Sequence, residues 1–144
     1  MKLYHYGFKK EILKEGIMAY IKHNDTKVIN NLISDVYDGE CFGRDDCVFL
    51  NLDFRDIGEV CVSVDLEKLN HDLLYVANQD LANDIYSQWY KGNSYNDLVK
   101  RYVESIKKFE SYSGEYENPE IMYLDDISSS LLNVEYLNEE FFEE

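Results

Sequence analysis

A histidine between two tyrosines stands near the start of the chain, as Tyr4-His5-Tyr6. An imidazole can donate or accept a hydrogen bond, and tyrosine offers a flat ring face with a hydroxyl at its tip. On a strand, this combination is suited to holding a ribose hydroxyl beside a planar base. The alternative is a half-buried histidine that hydrogen-bonds to the backbone.

A second candidate is Glu120, which directly follows the one proline of the chain, Pro119. A carboxylate that enters an apolar strand can accept a hydrogen bond from a substrate hydroxyl, or stabilise positive charge that develops on a sugar ring. The alternative is that Glu120 is one surface acid among several, because other acids lie between residues 115 and 126.

The chain has no glycine-rich phosphate loop, no zinc-protease motif and no nucleophile elbow. Its three cysteines, Cys41, Cys47 and Cys61, leave at least one thiol unpaired and have neither CxxC nor zinc-type spacing with the histidines. We therefore expect three reduced thiols and no metal.

Short strands and helices must position these side chains. Residues 3–6 alternate as a strand does, and residues 8–15 have helical spacing that ends at Gly16, a suitable left-handed cap. Asp25 or Thr26 can cap a second helix. The apolar face of this second helix consists of Val28, Ile29, Leu32, Ile33 and Val36.

Residues 47–53 and 59–65 are the best strand candidates, because they are rich in β-branched and aromatic side chains. The connection over residues 54–58 is short enough to join neighbouring strands. Residues 73–76 form a further candidate strand. One face of the strand over 59–65 is predicted to carry Val60, Val62 and Val64.

The second half of the chain predicts two more helices. Residues 80–90 have apolar side chains at i, i+4 and i+8, which predicts a core-facing helix. Ser94 and Asp97 resemble a capping box for a helix that ends before Ser111. The predicted core-facing residues of the first helix are Leu81, Ile85 and Trp89, and those of the second are Leu98, Tyr102, Val103, Ile106 and Phe109.

A loop is predicted over residues 111–118, followed by strands over 120–124 and 131–137. Short helices interleaved with short strands, without a regular βαβ period, indicate an α+β fold. We expect a single domain over residues 1–137 and an acidic C-terminal tail over residues 138–144.

Several segments occur in an order that resembles the small ADP-ribosyltransferase-like proteins of bacteria and phages, of the His-Tyr-Glu type. A short helix leading to a glycine and a strand exit of the Val-Asp-x-x-x-Leu type are part of that resemblance. The segments are Leu3-Tyr4-His5-Tyr6-Gly7, Glu15-Gly16-Ile17, Val48-Phe49-Leu50, Val62-Ser63-Val64-Asp65-Leu66-Glu67-Lys68-Leu69, Pro119-Glu120-Ile121 and Asp126-Ile127.

The resemblance implies a split mixed or antiparallel sheet with flanking helices, and NAD bound in a cleft between the two halves. It implies that His5 contacts the ribose on the nicotinamide side and that Glu120 orients this ribose while the glycosidic bond breaks. Both are therefore candidate catalytic residues. The implied reaction is the transfer of ADP-ribose to a protein or a small acceptor.

The aromatic residue that stacks on nicotinamide would be Phe49, where the family more often has tyrosine. Phenylalanine can stack but cannot donate a hydrogen bond, so the sequence supports ligand binding better than catalysis. A second aromatic is left open between Tyr75, Tyr86 and Tyr90. The residues assigned to the cofactor site are Tyr4, His5, Tyr6, Phe49 and Tyr75.

The charge of the chain limits its partners. Fourteen basic against 29 acidic residues give a formal charge of −15, which disfavours direct binding to nucleic acid or to an anionic membrane. No stretch approaches the roughly 20 apolar residues of a membrane span, and no signal-peptide pattern occurs, so we expect a cytoplasmic protein.

The alternative function is that of a non-enzymatic acidic inhibitor, which imitates nucleic acid and thereby binds and blocks a basic host protein. From Glu110 onward the chain contains no lysine or arginine. The other explanation of this acidic region is a solvating tail without a partner.

Overall fold

A computed structural model describes residues 1–7, 11–19, 24–54 and 58–138, within which four helices and seven strands occur. The helices are α1 (Ile12–Glu15), α2 (Asn24–Val36), α3 (Gln79–Tyr90) and α4 (Asn96–Ser105). The strands are β1 (Lys2–Gly7), β2 (Val48–Leu50), β3 (Val60–Asp65), β4 (Leu74–Asn78), β5 (Lys107–Lys108), β6 (Pro119–Tyr123) and β7 (Leu132–Leu137). The predicted helix residues 8–10 and the tail residues 139–144 lie outside the described residues.

The strands form two antiparallel sheets. One has the order β1-β3-β7 and the other the order β2-β6-β4-β5. A single bridge between Tyr4 and Asn51 connects β1 to the end of β2, with both backbone hydrogen bonds at 2.8 Å. The predicted α+β fold is confirmed, and every strand pair within the described ranges is antiparallel rather than mixed.

Alternation along the strands assigns each side of the four-stranded sheet to a different core. Leu50, Val76 and Ile121 belong to the cluster that includes Leu3 and Val62 of the three-stranded sheet. Their neighbours Phe49, Tyr75, Ala77 and Met122 belong to the cluster formed with α2, α3 and α4. The four-stranded sheet therefore has the helices on one face and the smaller sheet on the other.

Three predictions about the helices are wrong. Helix α2 begins at Asn24, so Asp25 and Thr26 lie inside its first turn and do not precede it. Trp89 of α3 is 41% exposed and does not face the core. The residue before α4 is Tyr95, which makes no side-chain cap, so Ser94 is not the N-cap.

Helix α4 also ends at Ser105, well before the predicted end near Ser111. The Ser105 hydroxyl donates to the carbonyl of Tyr102 at 2.5 Å and accepts from the backbone N–H of Asn78 at 3.0 Å. The hydroxyl thus links the last turn to the sheet, and such a contact across 27 residues is invisible to local periodicity. Lys107 and Lys108 then pair with β4 as a short edge strand.

The strand predictions are confirmed in position but differ in detail. Strand β2 covers only Val48–Leu50 instead of residues 47–53, since Asn51 leaves β6 to form the bridge with Tyr4. The strands β2 and β3 belong to different sheets, so they are not neighbours. In β3, Cys61 and Ser63 are buried together with the three valines, so both faces are covered.

All three cysteines are free and buried, as expected for reduced thiols. Burial raises the pKa of Cys47 to about 12, so this thiol is not a nucleophile near neutral pH.

No helix in the described part of the chain is both long and apolar enough to cross a membrane.

Candidate functional site

A cavity of about 250 Å³ lies at the end of β2 and β6, on the side of the four-stranded sheet that faces the helices. Its lining residues are Thr26, Arg44, Phe49, Leu50, Asn51, Gln79 and Glu120. The resemblance implies a cleft between the two halves of the sheet. This cavity lies instead between the larger sheet and the helices, next to the bridge that connects the sheets.

Glu120 is a largely buried carboxylate. It occupies the second position of β6 opposite Ala77, and its side chain is only 10% exposed. The alternative of an ordinary surface acid is therefore wrong. Pro119 is tolerated as the first residue of this strand and brings Glu120 to the point where the sheet margin meets the cavity.

The partner of Glu120 is Arg44, whose side chain is 2% exposed. Gly43, at φ 88°, reverses the chain ahead of the short 3-10 turn Arg44–Asp46. The Nη1 atom of Arg44 donates to Oε1 of Glu120 and to the hydroxyl oxygen of Tyr102. The Tyr102 hydroxyl in turn donates to the same Oε1 at 2.5 Å.

A second row of side chains fixes the guanidinium of Arg44. Its Nε donates to Oδ1 of Asn30 at 2.7 Å, and Nδ2 of Asn30 donates to Asp45 at 2.9 Å. The Cys41 thiol donates to the other oxygen of Asp45 at 2.7 Å. Hydrogen bonds thus run without interruption from Cys41 to Glu120.

Two aromatic rings also contact the guanidinium. Its central carbon lies 5.1 Å from the ring centre of Phe49 and 5.2 Å from that of Tyr102, within cation–π range. Burial is the largest single influence and works against the charge of Arg44, but the attraction to Glu120 and the contacts with Tyr102 together exceed it, so the pKa of Arg44 is raised. Burial, with the nearby Glu120, raises the pKa of Tyr102, so this phenol stays a hydrogen-bond donor.

The ion pair joins only one atom of each group. Among the described residues, nothing donates to Oε2 of Glu120 and nothing accepts from Nη2 of Arg44. No buried side-chain N or O atom in the described ranges lacks a partner, so both atoms have access to solvent, and both residues line the cavity. The cavity therefore presents one free acceptor atom and one free donor atom.

His5 lies near this cavity but is not among its lining residues. Its Nδ1 is 3.0 Å from the carbonyl oxygen of Phe49, and the residue is half-buried. By alternation along β1, the His5 side chain shares the face of Leu3, which packs between the sheets, whereas Glu120 shares the helix-facing side with Met122. This arrangement matches the alternative of a half-buried histidine bonded to the backbone.

The tyrosines assigned to the cofactor site are dispersed. Tyr4 contributes its backbone to the bridge with Asn51, and the Tyr6 hydroxyl donates to the carbonyl of Asp53. Tyr75 packs in the cluster under the helices. None of the three lines the cavity, so the structure brings together Phe49 and Glu120 but not these three rings.

The two alternative tyrosines lie on α3. The rings of Tyr86 and Tyr90 stack at 6.5 Å, with an interplanar angle of 13°, and neither residue lines the cavity.

A second cavity of about 330 Å³ adjoins the first and shares Asn51 and Gln79 with it. Its other lining residues are Leu52, Asp53, Asn83, Glu117, Asn118 and Pro119. The two cavities therefore lie side by side at the end of β2 and the start of β6.

The sequence did not indicate that Arg44, Tyr102 and Asn30 belong to the candidate site. Arg44 is 76 residues from Glu120 and Tyr102 is 18 residues from it, so no local spacing connects them. The one usable signal is the pair of glycine and arginine at positions 43 and 44, since a glycine before a short turn can aim the next side chain inward.

No family model matches the chain, and no curated protein or solved structure matches it either. Among the described residues, no group of three or more His, Cys, Asp or Glu side chains is placed to hold a metal ion.

Proposed function

We propose that this protein binds NAD, or a related nucleotide, with the nicotinamide riboside end in the cavity of Arg44 and Glu120. The observation that carries the proposal is the convergence of Phe49, Glu120 and Arg44 on one cavity, with polar side chains of Thr26 and Gln79 beside them. Pockets that combine a flat apolar surface with a few convergent polar groups are the usual form of small-molecule sites.

The size of the cavity favours one end of a dinucleotide over the whole molecule. Its volume of about 250 Å³ is below the range of roughly 300–1,000 Å³ that is typical of sites for drug-sized ligands. The remainder of the ligand extends outward. Two acidic residues, Asp53 and Glu117, line the adjoining cavity, so we expect a diphosphate to leave the first cavity in another direction.

Each residue has a chemical task in this proposal. Phe49 contacts the planar ring, and the free Oε2 of Glu120 accepts a hydrogen bond from a ribose hydroxyl. His5 acts through its bond to the Phe49 carbonyl and thereby positions β2. The proposed roles of Tyr4 and Tyr6 are of the same kind, since both hold the segment from Asn51 to Asp53.

Transfer of ADP-ribose is the proposed reaction of the bound nucleotide. The bond between C1′ and the nicotinamide nitrogen breaks, nicotinamide leaves with the electron pair, and a nucleophile on the acceptor forms the new bond to C1′. Glu120 would stabilise the positive ribose in between. Because Arg44 neutralises much of the carboxylate charge, we expect NAD binding to be easier to detect than turnover.

The test is calorimetric titration of NAD into the wild type and into Glu120→Gln. Wild type is expected to bind, and the variant is expected to bind about tenfold more weakly, because the amide replaces a charged acceptor. Glu110→Gln, a change at an exposed acid, is the matched control and should bind as wild type does. Absence of NAD binding by wild type would overturn the proposal, and release of labelled nicotinamide tests the transfer step separately.

A second proposal is a non-enzymatic inhibitor that captures a basic protein. The observation in its favour is the exposure of the acids in the region that lacks lysine and arginine, among them Glu110, Glu117, Asp125 and Asp126. A surface of one charge steers and holds a partner of the opposite charge.

A further inference from the structure

The ion pair between Arg44 and Glu120 uses one terminal nitrogen of the guanidinium and one oxygen of the carboxylate. Nη1 and Oε1 satisfy each other together with Tyr102, while Nη2 and Oε2 have no partner among the described residues. A bidentate contact would have used both carboxylate oxygens of Glu120 and both terminal nitrogens of Arg44. The monodentate contact leaves one donor atom on Arg44 and one acceptor atom on Glu120, and both residues line the cavity.

The position of the guanidinium is fixed before any ligand arrives. Asn30 accepts from Nε at 2.7 Å, and the rings of Phe49 and Tyr102 lie 5.1 Å and 5.2 Å from the central carbon. A donor held in this way loses little conformational entropy when it bonds to a ligand. Arg44 therefore offers a donor that is already held in place, in addition to balancing the charge of Glu120.

We propose that Arg44 is a ligand-binding residue and that, together with Glu120, it recognises the neighbouring hydroxyls of a ribose. One hydroxyl donates to Oε2 of Glu120, and the adjacent hydroxyl accepts from Nη2 of Arg44. This inference rests on the proposed nucleotide function and adds a requirement to it: the ligand must carry both hydroxyls on the sugar that enters the cavity.

The charges of the pair favour a neutral diol over an ion. A phosphate or carboxylate would accept from Arg44 but would lie beside the carboxylate of Glu120, and an ammonium group would meet the reverse difficulty. A hydroxyl can both donate and accept, so a pair of hydroxyls satisfies both atoms without placing a charged group directly against either of them. A site built to hydrogen-bond hydroxyls also rejects analogues that lack them.

The first test uses the wild-type protein and needs no substitution. Nicotinamide riboside, its 2′-deoxy form and its 3′-deoxy form are titrated by calorimetry, with NAD as a parallel ligand. Each missing hydroxyl is expected to weaken binding by about tenfold to a hundredfold, because a charged partner is left without its hydrogen bond. Equal binding of all three ribosides, with NAD still bound, overturns the hydroxyl contacts of both Arg44 and Glu120, whereas NAD binding itself still stands.

The second test assigns the hydroxyls to residues. Arg44→Lys keeps the charge but lacks the second terminal nitrogen, so it is expected to bind the riboside and one deoxy form within about threefold of each other. Glu120→Gln should reduce discrimination at the other hydroxyl. Arg101→Lys, a change at an exposed arginine, is the control and should retain full discrimination.

The remaining outcomes are also decisive. If Arg44→Lys folds and discriminates as wild type does, Arg44 does not contact the ligand. If Arg44→Lys does not fold, the analogue series on wild type decides alone. If wild type binds neither NAD nor any riboside, the nucleotide function fails and the diol site fails with it.

Discussion

At the scale of single residues, the unusual feature is a buried arginine that shares its carboxylate partner with a tyrosine. Buried ion pairs add little net stability, because the cost of removing both charges from water offsets their attraction. Removing one partner is costly, since the other remains as an uncompensated buried charge. Arg44 and Glu120 form such a pair at the wall of a cavity, so the proposed ligand would give the pair a role besides folding.

Losing one charge of a buried ion pair costs more stability than losing both, and this difference predicts the outcome of a double-mutant cycle. Arg44→Met is expected to reduce the free energy of unfolding by about 3–5 kcal/mol, because Glu120 loses its charged partner. Adding Glu120→Leu should restore much of this loss, since neither charge then remains. Urea denaturation measures Arg44→Met, Glu120→Leu and the double variant.

The control for this cycle is Arg101→Met at an exposed position, where the change should stay within about 0.5 kcal/mol. If the double variant is as unstable as the sum of the two single ones, the residues are not coupled. In that case the description of the buried pair is wrong.

Glu120 was selected by its place after Pro119, and Phe49 was selected only through the resemblance; both line the cavity. The residues that hold them were not selected. Arg44 has no local signature, because a buried and an exposed arginine look alike in a sequence and its partners come from α2, α4 and β6. Tertiary contacts alone make it part of the site.

For the helices and strands, the positions along the chain could be predicted from the sequence, but the residues at which they begin and end could not. Hydrophobic periodicity located α2, α3 and α4, since each buries one face. The ends depend on single long-range contacts, such as the Ser105 hydroxyl that meets the backbone of Asn78. Strand β5 consists of two lysines, and its pairing with β4 follows from the end of α4 rather than from any β-propensity.

The connection after α1 depends on Gly16. This residue has φ 80° and ψ −170°, a conformation that only glycine adopts readily, and a Cβ there would lie 2.3 Å from the carbonyl oxygen of Ile127. The next residue, Ile17, exchanges two backbone hydrogen bonds of 2.8 Å with Ile127. Gly16 thus permits a close approach of two backbone segments.

Gly16→Ala is therefore expected to be strongly destabilising. The matched control is Gly92→Ala, because Gly92 also has a positive φ of 76° but has no atom within 4 Å of the added carbon. We expect the control to lose about 1–2 kcal/mol from backbone strain alone, and Gly16→Ala to lose at least about 2 kcal/mol more. Thermal and urea unfolding measure both, and equal losses would contradict the close approach.

Glu135 connects the three strands of the smaller sheet. It stands at the irregularity of β7 opposite Cys61 and Val62, and it accepts from Lys2 at 2.8 Å and from Ser63 at 2.6 Å. These hydrogen bonds lower the pKa of Glu135 below its ordinary value of 4.5. The folded state therefore holds the ionised form more firmly than the unfolded chain does.

The lowered pKa sets the direction of a pH effect. The stabilisation is fully present above about pH 4.5 and is lost as the pH falls through the lowered folded-state pKa. Glu135→Gln should therefore show a smaller loss of stability on acidification than wild type, although other carboxylates keep some pH dependence. Urea midpoints at a series of pH values measure the slope, and parallel slopes would show that the contact contributes nothing.

At the scale of the whole molecule, the net charge of −15 is unevenly distributed along the chain, because all lysines and arginines precede Glu110. The amphipathic helices and alternating strands allowed the fold class to be predicted, since burial of apolar faces does not depend on where charges accumulate. The role of a charged surface could not be predicted in this way, because its composition is the same whether it binds a partner or only contacts water. The distinction has to come from an experiment on charge placement.

Two variants with equal net charge separate these cases. The first changes the tail glutamates 139, 140, 143 and 144 to glutamine, and the second changes the exposed Asp35, Glu67, Asp84 and Glu104 to their amides. If the C-terminal region is the docking surface for a basic partner, the tail variant should bind a polylysine peptide several-fold more weakly than the control variant at about 0.05 M salt. Raising the salt to about 0.3 M should weaken wild-type binding and reduce the difference, because screening shortens the reach of exposed charges. Equal weakening in both variants would mean that only total charge matters, and the tail would then have no part in the inhibitor proposal.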